Sequence, residues 1–248
     1  PALLTKETPL NVRPHPHIGI STLTWVIEGA IMHRDSLGYK QKITPGAVNW
    51  MTAGKGIVHS ERTPEDMLES DNPLLGLQVW MALPKDEQEC DPSFQHYEKD
   101  EIPTFESNGL KGSVVAGKIW GMKSPVKVYT DTLYVDLKME DQSEITLDCE
   151  HEERAVYLLK GELQIGAQVY KPEELVVLKP GIDVLLQAKG QCHLVIIGGR
   201  KLEHKRHLWW NFVSTDAELI EQAKKDWQDA KFDKVIEDTE EFIPLPTS

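Results

Sequence analysis

The stretch "TWVIEGAI", residues 24–31, has a counterpart in "VYLLKGEL", residues 156–163. In both, an apolar run rich in β-formers meets a glycine at the same place, Gly29 in the first and Gly161 in the second. Such runs, bounded by turn residues, read as strands. Working outward, "STLTWVIEGAIMHRD" (21–35) gives two strands joined near Glu28–Gly29, and "YKQKITPGAVNWMTAG" (39–54) gives a Pro45–Gly46 turn before another strand. "LGLQVWMALP" (75–84) reads as a buried strand stopped by Pro84. The later "RAVYLLKGELQIGAQVYKPEELVVLKPG" (154–181) repeats this order, with a turn at Lys160–Gly161, Pro172 in the place of Pro45, and a turn at Pro180–Gly181. Short strands separated by Gly and Pro indicate an all-β sandwich or barrel rather than alternating βαβ units. Two copies of one β fold is the economical explanation.

The first copy is expected over residues 1–110 and the second over 111–248, joined through the charged, Pro-containing stretch 86–109. One helix follows the second β unit. In "STDAELIEQAKKDWQDAKF" (214–232), Leu219, Ile220, Ala223 and Trp227 fall at helical spacing, and Thr215 with Glu218 forms a capping box. The acidic "IEDTEEFIPLPTS" (236–248) ends the sequence as a tail.

An apolar content of 40% and a charged content of 27% over 248 residues describe a globular protein with material for a sizeable core. The net charge of −13 argues against direct nucleic-acid binding, which needs clustered Lys and Arg to neutralise phosphates. Cys90, Cys149 and Cys192 are widely spaced with no CxxC, so free thiols in a reducing, cytoplasmic setting are expected, or a nuclear one in a eukaryote. No apolar run approaches the ~20 residues of a membrane span, and no membrane association is expected. The chain opens at Pro1 rather than Met, from which an upstream segment is expected.

The chemistry begins at "RPHPHIG", residues 13–19. Residues i and i+2 of an extended segment share a face, and the flanking prolines favour extension. His15 and His17 therefore present two imidazoles side by side. In "WMTAGKGIVHSE" (50–61), His59 and Glu61 repeat the spacing. Two adjacent antiparallel strands would bring the four together, three imidazoles and one carboxylate, leaving coordination positions open. A mixed N/O set of that kind suits Fe, Mn, Ni or Cu better than a closed structural zinc. The repeat supplies a control: the positions matching the four are Leu147, Cys149, Leu186 and Ala188. The fold does not require the histidines, and one metal per chain is expected, in the first copy.

"HPHIG…WVIEG…WMTAGKGIVHSE" closely resembles the pirin family, and the resemblance continues in "LGLQVWMALP" and "RHLWWNFVSTDAELIEQAKKDW" (206–227), so that it covers nearly the whole chain. It implies two tandem cupin barrels (double-stranded β-helix, jelly-roll) and an iron ion held by His15, His17, His59 and Glu61, with Mn, Ni, Cu or Zn as substitutes. Gln78 corresponds to a pocket glutamine of the family. Some members cleave flavonols such as quercetin with O₂, and others are redox-sensitive partners of transcription factors or metabolic enzymes. On the first reading the metal is a Lewis acid for the substrate 3-oxygen, Glu61 takes the 3-hydroxyl proton as general base, and the ring is cleaved with loss of carbon monoxide. On the second, the oxidation state of the iron alters a surface that a protein partner reads. One position departs from the family pattern: Ser21 stands where a Glu is usual, four residues after the second histidine. With Gln78, Ser21 is expected in the substrate pocket.

His33 and Asp35 also alternate, on the strand after Gly29. They read as a solvated strand face, the alternative being a hydrogen-bonding role behind the metal ligands. His204 and His207 belong to a basic segment ahead of a buried Trp209–Trp210 pair. No nucleophile-elbow or Walker pattern is present.

Overall fold

In the computed structural model, residues 2–247 are described; Pro1 and Ser248 lie outside them. The chain divides into two compact units, residues 1–99 with 203–248, and residues 100–202. The first boundary falls about ten residues before the expected 110/111 division. The helix and tail, expected with the second copy, pack with the first.

In the first unit the strands are β1 (Ala2–Leu4), β2 (Asn11–His17), β3 (Ile20–Glu28), β4 (Ile31–Asp35), β5 (Lys40–Ile43), β6 (Val48–Thr52), β7 (Ile57–Arg62), β8 (Asn72–Ala82) and β9 (Ser93–Tyr97). They form two sheets, ordered β1-β8-β3-β6-β9 and β2-β7-β4-β5. Part of the expected linker is thus structural, since β9 closes one edge against β6. Gly29 carries the chain from β3 in one sheet to β4 in the other at a φ of +82°, and a Cβ there would overlap the Pro73 carbonyl oxygen. Only glycine accepts that backbone and that approach together.

The second unit holds β10 (Thr104–Ser107), β11 (Leu110–Ala116), β12 (Lys118–Ile119), β13 (Met122–Lys123), β14 (Thr132–Met139), β15 (Glu144–Leu147), β16 (Glu153–Ile165), β17 (Gln168–Tyr170), β18 (Leu175–Val177) and β19 (Val184–Gly199). Its main sheet runs β10-β11-β14-β19-β16-β17. Gly161 has a φ of +83° and stands against the Gln191 carbonyl, repeating Gly29 in angle and in steric reason. There the chain stays in one bulged strand, β16, rather than turning into another. Leu147, Leu186 and Ala188, at positions that match His15, His59 and Glu61 of the first copy, are fully buried in an apolar core with Val135, Leu158, Leu194 and Ile196. Cys192 joins that core, while Cys149 is exposed; none of the three cysteines is in a disulfide.

After the second unit the chain returns to the first through β20 (His207–Trp209), β21 (Phe212–Ser214) and α1 (Ala217–Gln228). Phe212, Ile220 and Ala223 pack with Ile18, flanked by the half-buried Trp209, Trp210, Trp227 and Phe232. The helix cap is Asp216, which accepts from the Glu218 N–H at 2.9 Å, rather than Thr215. Thr215 is drawn instead to Gln88, whose side-chain oxygen accepts from its N–H and hydroxyl. No helix of the described residues is long and apolar enough to cross a membrane.

Candidate metal centre

Strand pairing assembles the site. β2 and β7 run antiparallel with His15 opposite His59 and His17 opposite Ile57. The side chains of His15, His17 and His59 converge, their ligand atoms all within 4.8 Å of one another. His17 Nε2 and His59 Nε2 stand 3.1 Å apart. Two nitrogens bound to one ion at about 2.1 Å and at right angles are separated by about 3 Å, so the spacing fits a shared ion. All three rings are buried. Burial holds His17 and His59 well below the ordinary imidazole range, reinforced by the neighbouring rings, and lowers His15 as well. Each is kept neutral, the form that coordinates a metal. His15 Nδ1 lies 2.9 Å from the Arg13 carbonyl, which fixes its proton there and leaves Nε2 bare.

Glu61 follows on the same face of β7, two residues beyond His59. It lies outside the compact histidine set, and its Oε1 accepts from the Gln78 amide at 2.7 Å. The same amide nitrogen stands 3.2 Å from Thr24 Oγ1, and the Gln78 oxygen accepts from Trp80 Nε1 at 3.2 Å. Burial raises the Glu61 carboxyl above its ordinary value, opposed by His33 and by the Gln78 hydrogen bond. The result is a carboxylate with enhanced basicity, aimed by an amide whose own orientation is fixed. Thr24 and Gln78 are opposite each other in the β3–β8 register, as are Thr22 and Trp80. Trp80, 39% exposed, meets the edge of His17 at 5.1 Å between centroids. The histidines are therefore enclosed while the β8 side, at Gln78 and Trp80, is open to solvent.

Ser21 lies elsewhere. It is buried, pairs with Thr52 and Met81, and shares its hydroxyl with Thr52 Oγ1 at 3.1 Å, on the face of β3 opposite Thr22 and Thr24. The expectation that it lines the pocket with Gln78 is corrected by that register. The reading of His33 and Asp35 as a solvated face is corrected too, since both are buried. In the β4–β7 pairing His33 is opposite Glu61 and Asp35 opposite His59. Trp80 and Thr24 were not picked out from the sequence; the strand they share with Gln78, or pair with, was the available signal. Among the described residues the histidine triad is the one group of three or more such side chains that could hold a metal.

Comparison with known proteins agrees with this geometry. The Pirin family profile matches residues 3–81, and the Pirin C-terminal cupin domain matches residues 134–233. A pirin-like protein of Caulobacter vibrioides is 43% identical over 237 residues, covering 95% of this chain and 82% of the relative. The crystal structure of a quercetin 2,3-dioxygenase from Acinetobacter baumannii superposes with a TM-score of 0.91 at 33% identity, covering 100% of this chain and 82% of that one. The fold is shared also by the bacterial pirin YhhW of Escherichia coli, solved in complex with nickel(II), at a TM-score of 0.61 and 20% identity over 78% of each chain. With both cupin domains matched and the triad in the first, the chain belongs to the pirin family.

Proposed function

We propose that this protein is a mononuclear metal-dependent dioxygenase of the quercetin 2,3-dioxygenase type, with iron as the resident metal and Mn, Ni, Cu or Zn as substitutes. The observation that carries the reading is Glu61. A structural metal site has no use for a carboxylate of raised basicity held beside the ligands on the solvent-open side. His15, His17 and His59 would hold the ion, and Glu61, outside the compact triad but on the same face of β7 as His59, is the candidate oxygen ligand. The ion supplies Lewis-acid chemistry toward a substrate oxygen. Glu61 accepts the 3-hydroxyl proton of a flavonol-like substrate at Oε2, the oxygen not engaged by Gln78. Trp80 offers its exposed ring to a planar aromatic substrate, beside His17. The three histidines are buried while Gln78 and Trp80 are exposed, so a substrate would approach from the β8 side.

Aerobic incubation of the iron-reconstituted protein with quercetin tests this. Loss of the quercetin chromophore with release of carbon monoxide is expected. Protein with one iron per chain and no turnover of quercetin or related flavonols would overturn it, in favour of an iron-dependent redox-sensing partner of a transcription factor or metabolic enzyme.

A further inference from the structure

Beside His59, on the neighbouring strand β4, runs a line of buried polar groups. Asp35 Oδ2 stands 2.9 Å from His33 Nε2, and His33 Nδ1 stands 3.4 Å from His59 Nδ1. Asp35 and His33 are 0% and 4% exposed. Neither has freedom to turn. The other Asp35 oxygen, Oδ1, accepts from the Leu37 N–H at 2.9 Å and the Tyr39 N–H at 3.1 Å. The His33 ring is stacked on Phe94 with 4.4 Å between centroids and 17° between planes.

We propose that Asp35 and His33 are positioning residues that set the tautomer of His59 and so present its bare Nε2 to the metal. A carboxylate oxygen can only accept, so in the neutral form of His33 the proton sits on Nε2 and Nδ1 is an acceptor. His59 must then donate from Nδ1, and its Nε2 keeps the lone pair that faces His17. His15 reaches the same state by a different device, the Arg13 carbonyl. The second copy gives an independent check. With Gly29 set against Gly161, the positions of His33 and Asp35 hold Ile165 and Ala167, so the relay is missing where the ligands are missing. The inference rests on the metal centre and not on the flavonol chemistry.

The geometry makes Asp35→Asn an inverting change rather than a deletion. The Asn oxygen stays with the Leu37 and Tyr39 N–H groups, so its NH₂ faces His33. His33 must then accept at Nε2 and donate from Nδ1, and the His59 proton is forced onto Nε2, where the metal should bind. In the 248-residue chain, Co(II) titration followed by visible absorption should show affinity reduced about 10- to 100-fold, the range for lost partners of metal-bound histidines. Proton–nitrogen correlation spectra of the ¹⁵N-histidine-labelled apoprotein should show His59 protonated at Nδ1 in the wild type and at Nε2 in the variant. The double variant Asp35→Asn/His33→Phe removes the wrongly placed donor while keeping a ring against Phe94. It should bind Co(II) more tightly than Asp35→Asn alone, by about 5-fold or more. Circular dichroism and thermal unfolding of each apoprotein identify which variants are folded. If wild-type His59 is protonated at Nε2, or if the double variant binds Co(II) no better than folded Asp35→Asn, the relay does not set the tautomer. Quercetin turnover enters none of these measurements, so their outcome is separate from that of the dioxygenase reading.

Discussion

Replacing Glu61 by Gln leaves three imidazoles converging and an oxygen for the Gln78 amide, but removes the basic carboxylate. Metal content is expected to stay near one ion per chain, while quercetin turnover falls by about 10²-fold or more, as for loss of a general base. Metal analysis beside single-turnover kinetics checks both halves, and unchanged turnover with full metal would remove Glu61 from the chemistry. Ser21 behaves differently, because the Thr52 pairing puts it on the other face of β3 in a buried setting. Ser21→Glu is expected to bury a charge beside the Thr52 hydroxyl, at a cost of about 3 kcal/mol or more in urea unfolding. Metal affinity in the fraction that folds should be unchanged, and altered affinity would place the residue on the histidine face after all. Alternation counted from His17 predicts the opposite, since positions 17 and 21 differ by an even number. Gly19 breaks the count: its φ of +70° ends β2 and restarts the alternation in β3. A residue-by-residue reading has no sign of that break except the glycine itself.

At the scale of elements, the two i, i+2 pairs were legible because strand periodicity alone puts each pair on one face, and Pro14 and Pro16 confirm an extended β2. What alternation does not give is the neighbour. His33 and Asp35 have the same spacing, yet only the β4–β7 pairing shows that they face His59 and Glu61 instead of solvent. The helix was legible from its apolar spacing, but its cap was not, because Gln88, more than a hundred residues away in sequence, claims Thr215. The join between β2 and β3 depends on a similar distant partner. Val213 donates its N–H to the Ile18 carbonyl at 3.2 Å, Gly19 donates to the Gly54 carbonyl at 2.8 Å, and a Cβ on Gly19 would overlap the Val213 carbonyl oxygen. Gly19→Ala should therefore lift β21 off Ile18 and cost at least about 2 kcal/mol. Limited proteolysis across residues 203–216 is the sensitive measurement, and wild-type resistance there would show that the backbone gives way elsewhere.

For the whole molecule, the three buried histidines make stability depend on pH with a definite sign. Their folded values lie below the ordinary 6.5, so at and below that pH the unfolded chain takes up protons that the folded chain does not. Stability is full above 6.5 and is lost as pH falls through it, by at most about 1.4 kcal/mol per pH unit for each histidine. Glu61 acts in the opposite direction. Its carboxyl is raised above 4.5, so it favours the folded state at low pH and loses that contribution as pH rises through its raised value. Three groups outweigh one, and metal-free protein should unfold at lower urea at pH 5.5 than at pH 7.5. A midpoint independent of pH over that interval would mean that the histidines titrate normally in the fold.

The first unit is completed by a segment that lies beyond the second unit in sequence. Besides β21, the tail reaches β2, where the Ile243 N–H donates to the Pro14 carbonyl at 2.8 Å, and β7, where Asp238 takes a two-bonded ion pair with Arg62. On the ribosome this order has a temporal meaning. Residues 100–202 must be translated between the three histidines and the β21–tail segment, which takes roughly 5 to 20 s at about 5–20 residues per second. During that interval the nascent His15, His17 and His59 lack β21 and the tail. An ion that bound at that stage would be drawn from those free where the protein is made, before β21 and the tail are joined to Ile18 and Pro14.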